Sequence, residues 1–265
     1  MRPRNRMAFW ALALIPSTPI AWPALASPTA QADIAARLKR AYPDYVSGIA
    51  DNAVEFKDGT RLIYDDGETK SFEAWLARPD IEDMFLYPYP AGAEAAQPSV
   101  NFDPGRARSE AFFTKIYGDC RQPGFANSLT TIAWLPKKSG QRITISRRNG
   151  VADHLQAVSE ELDRLPAKFD RYLLPPAGGF VCRSIAATNQ RSGHGYGIAI
   201  DIATRHAQYW RWRQGGAYGP PVYRNEIPRE IVGIFEKHGF IWGGRWYHYD
   251  TMHFEYRPEL LSTGE

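Results

Sequence analysis

Cysteine is nearly missing from this 265-residue chain, which has only Cys120 and Cys182. Two thiols exclude a cysteine-rich metal cluster and a small disulfide scaffold, and neither has the neighbours of a nucleophile. Long apolar runs are missing too, since nothing approaches the ~20 consecutive apolar residues of a membrane span. Phosphate-cradling glycine loops and the G-x-S-x-G elbow are absent, which removes the P-loop enzymes and the common serine hydrolases. Charge of one sign is scarce. The formal +3 is the difference between 32 basic and 29 acidic residues, and Arg2, Arg4 and Arg6 all precede the first acid, Asp33. Beyond those arginines the chain is close to neutral, so no nucleic acid partner and no polybasic membrane patch is expected. No repeat or low-complexity tract occurs.

What the chain does have is an ordinary globular composition, 44% apolar and 23% charged, with 13% aromatic residues to build a core and line a groove. Its first residues have the layout of a secretory signal peptide, expected over residues 1–26. Three arginines precede a short apolar stretch at 7–14, and small residues follow at Ala24-Leu25-Ala26 and Ala30-Gln31-Ala32. Pro16, Pro19 and Pro23 interrupt the run before it could anchor. The expectation is a periplasmic or secreted protein with no stable membrane insertion after cleavage. In that oxidising space Cys120 and Cys182 are expected to pair.

Residues 33–105 read as an N-terminal subregion. An amphipathic helix spans 34–42, and 53–56 and 61–64 flank an Asp58-Gly59 hairpin turn. A proline-rich irregular connector follows over 87–104. Residues 110–265 read as one compact unit. A half-buried strand occupies 141–146, and Asn149-Gly150 precedes a helix with Val151, Leu155, Val158 and Leu162 on one face. Another helix opens at Pro228 and stops at Gly239. The mixture is α+β: a small antiparallel sheet flanked by helices, with an N-terminal extension.

Two segments carry the chemistry. In the first, Ser192-Gly193-His194 leads into 197–202, where Ile198, Ile200 and Ile202 alternate with Gly197, Ala199 and Asp201. Isoleucines on one strand face leave two tiny residues and a carboxylate on the other, which makes room above the sheet for a metal and a substrate. The second, 240–255, delivers Asp250 and His253 through a glycine pair into a setting rich in rings. Two histidines and one carboxylate form a hydrolytic zinc set with the fourth position left to water. A further carboxylate is then needed to move the proton.

Ser-x-His-x-x-Gly-x-Ala-x-Asp followed by Asp-x-Met-His resembles the D-alanyl-D-alanine carboxypeptidase family of zinc peptidases. That family includes phage endolysins that cut the L-alanyl–D-glutamate bond, and its fold is shared with hedgehog signalling domains. The resemblance covers about residues 134–258. It implies Zn2+ held by His194, Asp201 and His253, with Asp250 as general base and Arg183 as the cation facing the oxyanion. Ser192 and His248 are candidates to bind substrate, His248 as a transition-state donor. Arg191, Arg205 or Arg245 is expected to meet a terminal carboxylate. The implied function is hydrolysis of peptidoglycan peptides by a monomer. Carboxypeptidase action on D-Ala-D-Ala comes first, and endopeptidase action on L-Ala–D-Glu or a cross-link is the alternative. A non-catalytic zinc-containing wall-binding module and a hydrolase using Cys182 are rivals from other classes. The N-terminal subregion lies outside the resemblance and receives no role from it.

Overall fold

The computed structural model describes residues 28–185, 190–213 and 222–261, so the expected signal peptide lies outside the described residues. Helix α1 (Pro28–Ala41) leads into an antiparallel meander of β1 (Val46–Ala50), β2 (Ala53–Phe56) and β3 (Arg61–Ile63). Gly59, at φ +84°, makes the β2–β3 turn possible. Helix α2 (Phe72–Ala77) starts at Ser71, whose Oγ accepts the Ala74 N–H. After α3 (Glu110–Tyr117), the hairpin of β4 (Leu129–Trp134) and β5 (Gln141–Ser146) precedes α4 (Val151–Asp163). Then come α5 (Asp170–Leu173), α6 (Gly193–Tyr196), β6 (Ala199–Asp201), α7 (Arg229–Lys237), β7 (Phe240–Trp242), β8 (His253–Tyr256) and α8 (Pro258–Leu261). The last sheet has the order β6-β8-β7 and is antiparallel throughout. The class is α+β.

One buried cluster binds these elements together. Ile34 and Leu38 of α1 and Phe112 of α3 belong to the same core as Trp134, Leu155, Ile200 and Phe235. The apolar stripe of α4 faces β4 and β5, and Phe235 of α7 stacks on Phe254 of β8 with ring centroids 3.7 Å apart. Each such side chain contributes about 1.5–3 kcal/mol when fully buried, so the short strands of the site gain their rigidity from this packing. Tyr42 donates to Glu259 Oε2 at 2.7 Å, which ties the end of α1 to α8. A smaller cluster of Trp75, Leu86 and Ala107, with Phe72 and Leu76 against it, holds α2. Cys120 and Cys182 are disulfide-bonded, with Cα atoms 5.7 Å apart. A bonded Cys182 has no thiolate, which removes the cysteine hydrolase reading.

Candidate metal centre

Strand register sets half of the site. On β6 and β8, Asp201 lies opposite His253 and Ala199 opposite Glu255. Opposed residues share a sheet face, and alternate residues return to it. Asp201, His253 and Glu255 therefore stand on one face, while Ile200 and Phe254 enter the core on the other. His194 arrives from α6, a single turn closed by Gly197 at φ +70°. A Cβ on Gly193 would stand 2.6 Å from Glu255 Oε2, so only glycine lets this turn rest on that carboxylate.

The room expected above Gly197 and Ala199 is already filled by the protein. A Cβ on Gly197 would come within 3.0 Å of the Ser146 nitrogen, and Gly193 with Glu255 packs over Ala199. The small residues admit other parts of the chain, not a ligand. Only the Asp201 end of that face meets His194.

There the side chains converge. His194 Nε2 is 3.2 Å from Asp201 Oδ1 and 3.2 Å from His253 Nδ1, and His253 Nδ1 is 3.0 Å from Asp201 Oδ1. The outer nitrogens are engaged: His194 Nδ1 donates to the Gly179 carbonyl at 2.7 Å, and His253 Nε2 donates to Glu255 Oε2 at 3.2 Å. With both rings neutral and those protons spent outward, two lone pairs and a carboxylate face one another. Donors ~2.0–2.1 Å from a tetrahedral ion stand about 3.3 Å apart, so the observed spacing fits a metal ion. Glu255 is in turn gripped by Arg108 through Nε at 2.6 Å and Nη2 at 2.5 Å. A carboxylate behind a histidine ligand fixes its tautomer and orientation.

The electrostatics follow from this geometry. Burial favours the neutral form of Asp201, but the two histidines outweigh it and hold the carboxyl well below its ordinary range. Burial would depress the His253 pKa, yet its hydrogen bonds to Asp201 and Glu255 push it up to about 9. Glu255 is kept ionised by Arg108 despite full burial. Asp250 behaves in the opposite way: burial, then the nearby charge of Asp201, pushes it up to about 6. Its Oδ1 is buried without a hydrogen-bond partner among the described residues. A carboxylate poised near neutrality and unpaired has the properties of a proton acceptor.

A cavity of about 110 Å³ joins Asp250 to His194, His253, Ser192 and His248. Three guanidinium groups, from Arg106, Arg108 and Arg183, also line it. Ser192 Oγ is buried and has no partner among the described residues. His248 is held by Asp103, which accepts its backbone N–H at 3.0 Å and its Nδ1–H at 2.7 Å. The expected carboxylate-binding cations are elsewhere. Arg191 is paired with Asp119 at 2.7 Å, Arg245 with Glu236 at 3.1 Å, and none of Arg191, Arg205 and Arg245 lines the cavity. The other histidines also serve other partners: His206 faces Glu226, His238 faces Glu161 and His154 packs on Tyr256.

Sequence reasoning overlooked Glu255, Arg108, Asp103 and Gly179. Glu255 had a signal, because a residue two places along a strand from His253 must share its face. The others had none: Arg108 lies 147 positions from Glu255.

Residues 186–256 match the family model described as D-alanyl-D-alanine carboxypeptidase, in agreement with the resemblance drawn from the motif pair. The match covers well under half of the chain and contains Ser192, His194, Asp201, Asp250, His253 and Glu255, while Arg183 and the whole N-terminal subregion fall outside it. No curated protein and no solved structure gives a significant match.

Proposed function

We propose that this chain is a zinc peptidase of peptidoglycan stem peptides that acts outside the cytoplasm and removes the terminal residue of D-Ala-D-Ala. The observation that carries the reading is the convergence of His194 Nε2, Asp201 Oδ1 and His253 Nδ1 beside an unpaired Asp250 carboxylate. When bound there, zinc would activate a water molecule and polarise the scissile carbonyl. Asp250 takes the proton from the attacking water and returns it to the leaving amine. Arg183, exposed at the cavity and without a carboxylate partner among the described residues, faces the charge that develops on the carbonyl oxygen. Arg106 also lines the cavity but is already paired with Asp103 at 2.9 Å, which leaves Arg183 as the cation there with no carboxylate partner among the described residues. The leader-like first residues and the Cys120–Cys182 bond support an extracytoplasmic site of action.

The test is digestion of purified muropeptides with and without a chelator, read by mass spectrometry. Loss of one alanine, abolished by chelation, is the expected result; a split at the stem base makes the protein an endopeptidase. No mass change with zinc-loaded protein would leave only the binding-module reading. Asp250→Ala should lower kcat by ~10²–10⁴-fold, the range typical of a lost general base, with zinc content retained. A silent module has no use for a base, and a parallel loss of zinc would make Asp250 a structural residue.

A further inference from the structure

The catalytic cavity has a neighbour. A second cavity of about 250 Å³ shares Arg106, Ile185 and His248 with it and continues away from the metal centre. Phe72, Glu73, Leu76 and Ala77 of α2 line it, together with Trp210 and Arg211. The lining is mainly apolar, unlike that of the catalytic cavity. The junction is the His248 ring, stacked on Phe72 at 5.5 Å, edge-on to Trp210 at 4.6 Å and fixed from behind by Asp103.

Size makes this neighbour matter. Ligand sites typically enclose ~300–1,000 Å³, and the catalytic cavity at about 110 Å³ is far below that. Only the two together reach the range. Glu73 and Gln190 also line the second cavity, but Glu73 accepts from Ser71 Oγ at 3.1 Å and Arg106 is paired with Asp103 at 2.9 Å. The polar features that bear on a ligand are therefore those of the Trp210–Arg211 corner. The exposed Arg211 guanidinium, 5.0 Å over the Trp210 ring, has no carboxylate partner among the described residues. The Trp210 indole N–H is buried and has no acceptor among the described residues. A donor and a cation on an apolar floor suit a peptide segment that is largely apolar and carries one free carboxylate.

We propose that α2 and the Trp210–Arg211 corner form a substrate subsite, occupied by the part of the same peptide that lies beyond the two residues flanking the scissile bond. The inference rests on the peptidase reading above and gives the N-terminal subregion a role in selecting chains longer than a dipeptide. Leu76 and Phe72 bury the apolar part, Arg211 pairs with the carboxylate, and Trp210 donates to a backbone carbonyl.

The experiment compares synthetic stem peptides of two, three and five residues with zinc-loaded wild type, Leu76→Asp and Arg211→Ala. Binding of the five-residue peptide to chelated protein is measured in parallel by calorimetry. In wild type, kcat/KM should rise about tenfold or more from two residues to five, chiefly through KM. Leu76→Asp should remove most of that rise and weaken five-residue binding about tenfold. Arg211→Ala, a surface change that needs no repacking, should weaken binding several-fold for the free carboxylate and not for its amide. Equal five-residue affinity in wild type and both variants would overturn the subsite. Absence of hydrolysis in every arm would overturn the peptidase reading instead, and the calorimetry would still decide the subsite.

Discussion

Among the described residues, two places gather three or more metal-capable side chains, and they are built in opposite ways. With their rings neutral, His194 and His253 turn lone pairs toward Asp201 and one another, and their N–H groups point outward to Gly179 and Glu255. In the N-terminal subregion Asp65, Asp66, Asp80, Glu82 and Asp83 also crowd together. There the cation is part of the chain. Lys70 Nζ sits 2.8 Å from Asp66, 3.1 Å from Asp80 and 2.6 Å from Asp83, with its side chain only 2% exposed. Gathered carboxylates thus do not by themselves make a metal site; what counts is whether a positive charge is already supplied.

Removing one member from each place should separate them most sharply. A structural zinc site contributes ~10–16 kcal/mol over four ligands, so His253→Ala should weaken zinc binding on the order of 10²-fold or more. Elemental analysis after dialysis would show the loss. Lys70→Met removes the cation of the other cluster and leaves partly buried carboxylates to repel one another. Breaking such a group costs about 3 kcal/mol, at the low end for buried pairs because Asp66 is partly exposed. Denaturant melts should show that drop, and millimolar calcium should restore part of it in Lys70→Met while leaving wild type unmoved. Calcium stabilisation of wild type would mean that Lys70 does not fill the cluster.

Much of this site was legible because it is local. Ser192 to Asp201 spans one turn and one strand, and Asp250 and His253 flank one turn, so motif spacing carries their chemistry. Elements with a clear period were equally readable: β5, α4 and α7 lie where alternation and the 3.6-residue stripe put them. The strands β7 and β8 were not. They span only three and four residues and are buried on both faces, so no polar–apolar alternation marks them. The meaning of Gly197 and Ala199 was inverted for a related reason. Small residues report that something lies close, and only the fold reveals that here it is Glu255 and the β4–β5 hairpin. Asp103 was hidden most completely, in a connector with no periodicity, although it holds His248 at the cavity wall.

A smaller perturbation tests the support behind the metal ligands. Glu255→Gln keeps the shape of the side chain but removes the charge that Arg108 and His253 share. Loss of such a supporting carboxylate typically costs 10–100-fold in metal affinity. Competition against a zinc-binding dye should reveal it, with His194→Gln as the larger reference. An unchanged affinity would mean that Glu255 serves Arg108 and the fold alone.

The most gradual expected effect is a slope with pH, and it has opposite signs with and without metal. In the metal-free protein the His253 pKa is pushed up to about 9, above its ordinary value, by the hydrogen bonds to Asp201 and Glu255 that outweigh burial. A group raised in this way adds stability that is fully present below about pH 6.5 and is lost as pH rises through about 9. Zinc needs the neutral ring, so loading expels that proton. Affinity should therefore grow roughly tenfold per pH unit between pH 6 and 8 on account of this one group. Lys70 itself has no such link between pH 6 and 8: burial opposes its charge, but Asp66, Asp83 and Asp80 hold its pKa above the ordinary lysine value. The group of that cluster that titrates in this window is Glu82, which burial and the carboxylates around it push up to about 7. Zinc titrations at pH 6, 7 and 8, with melts of chelated protein alongside, measure both slopes. Equal affinity at all three values would show that His253 is already neutral, and that Glu255 and Asp201 do not charge the site before the metal arrives.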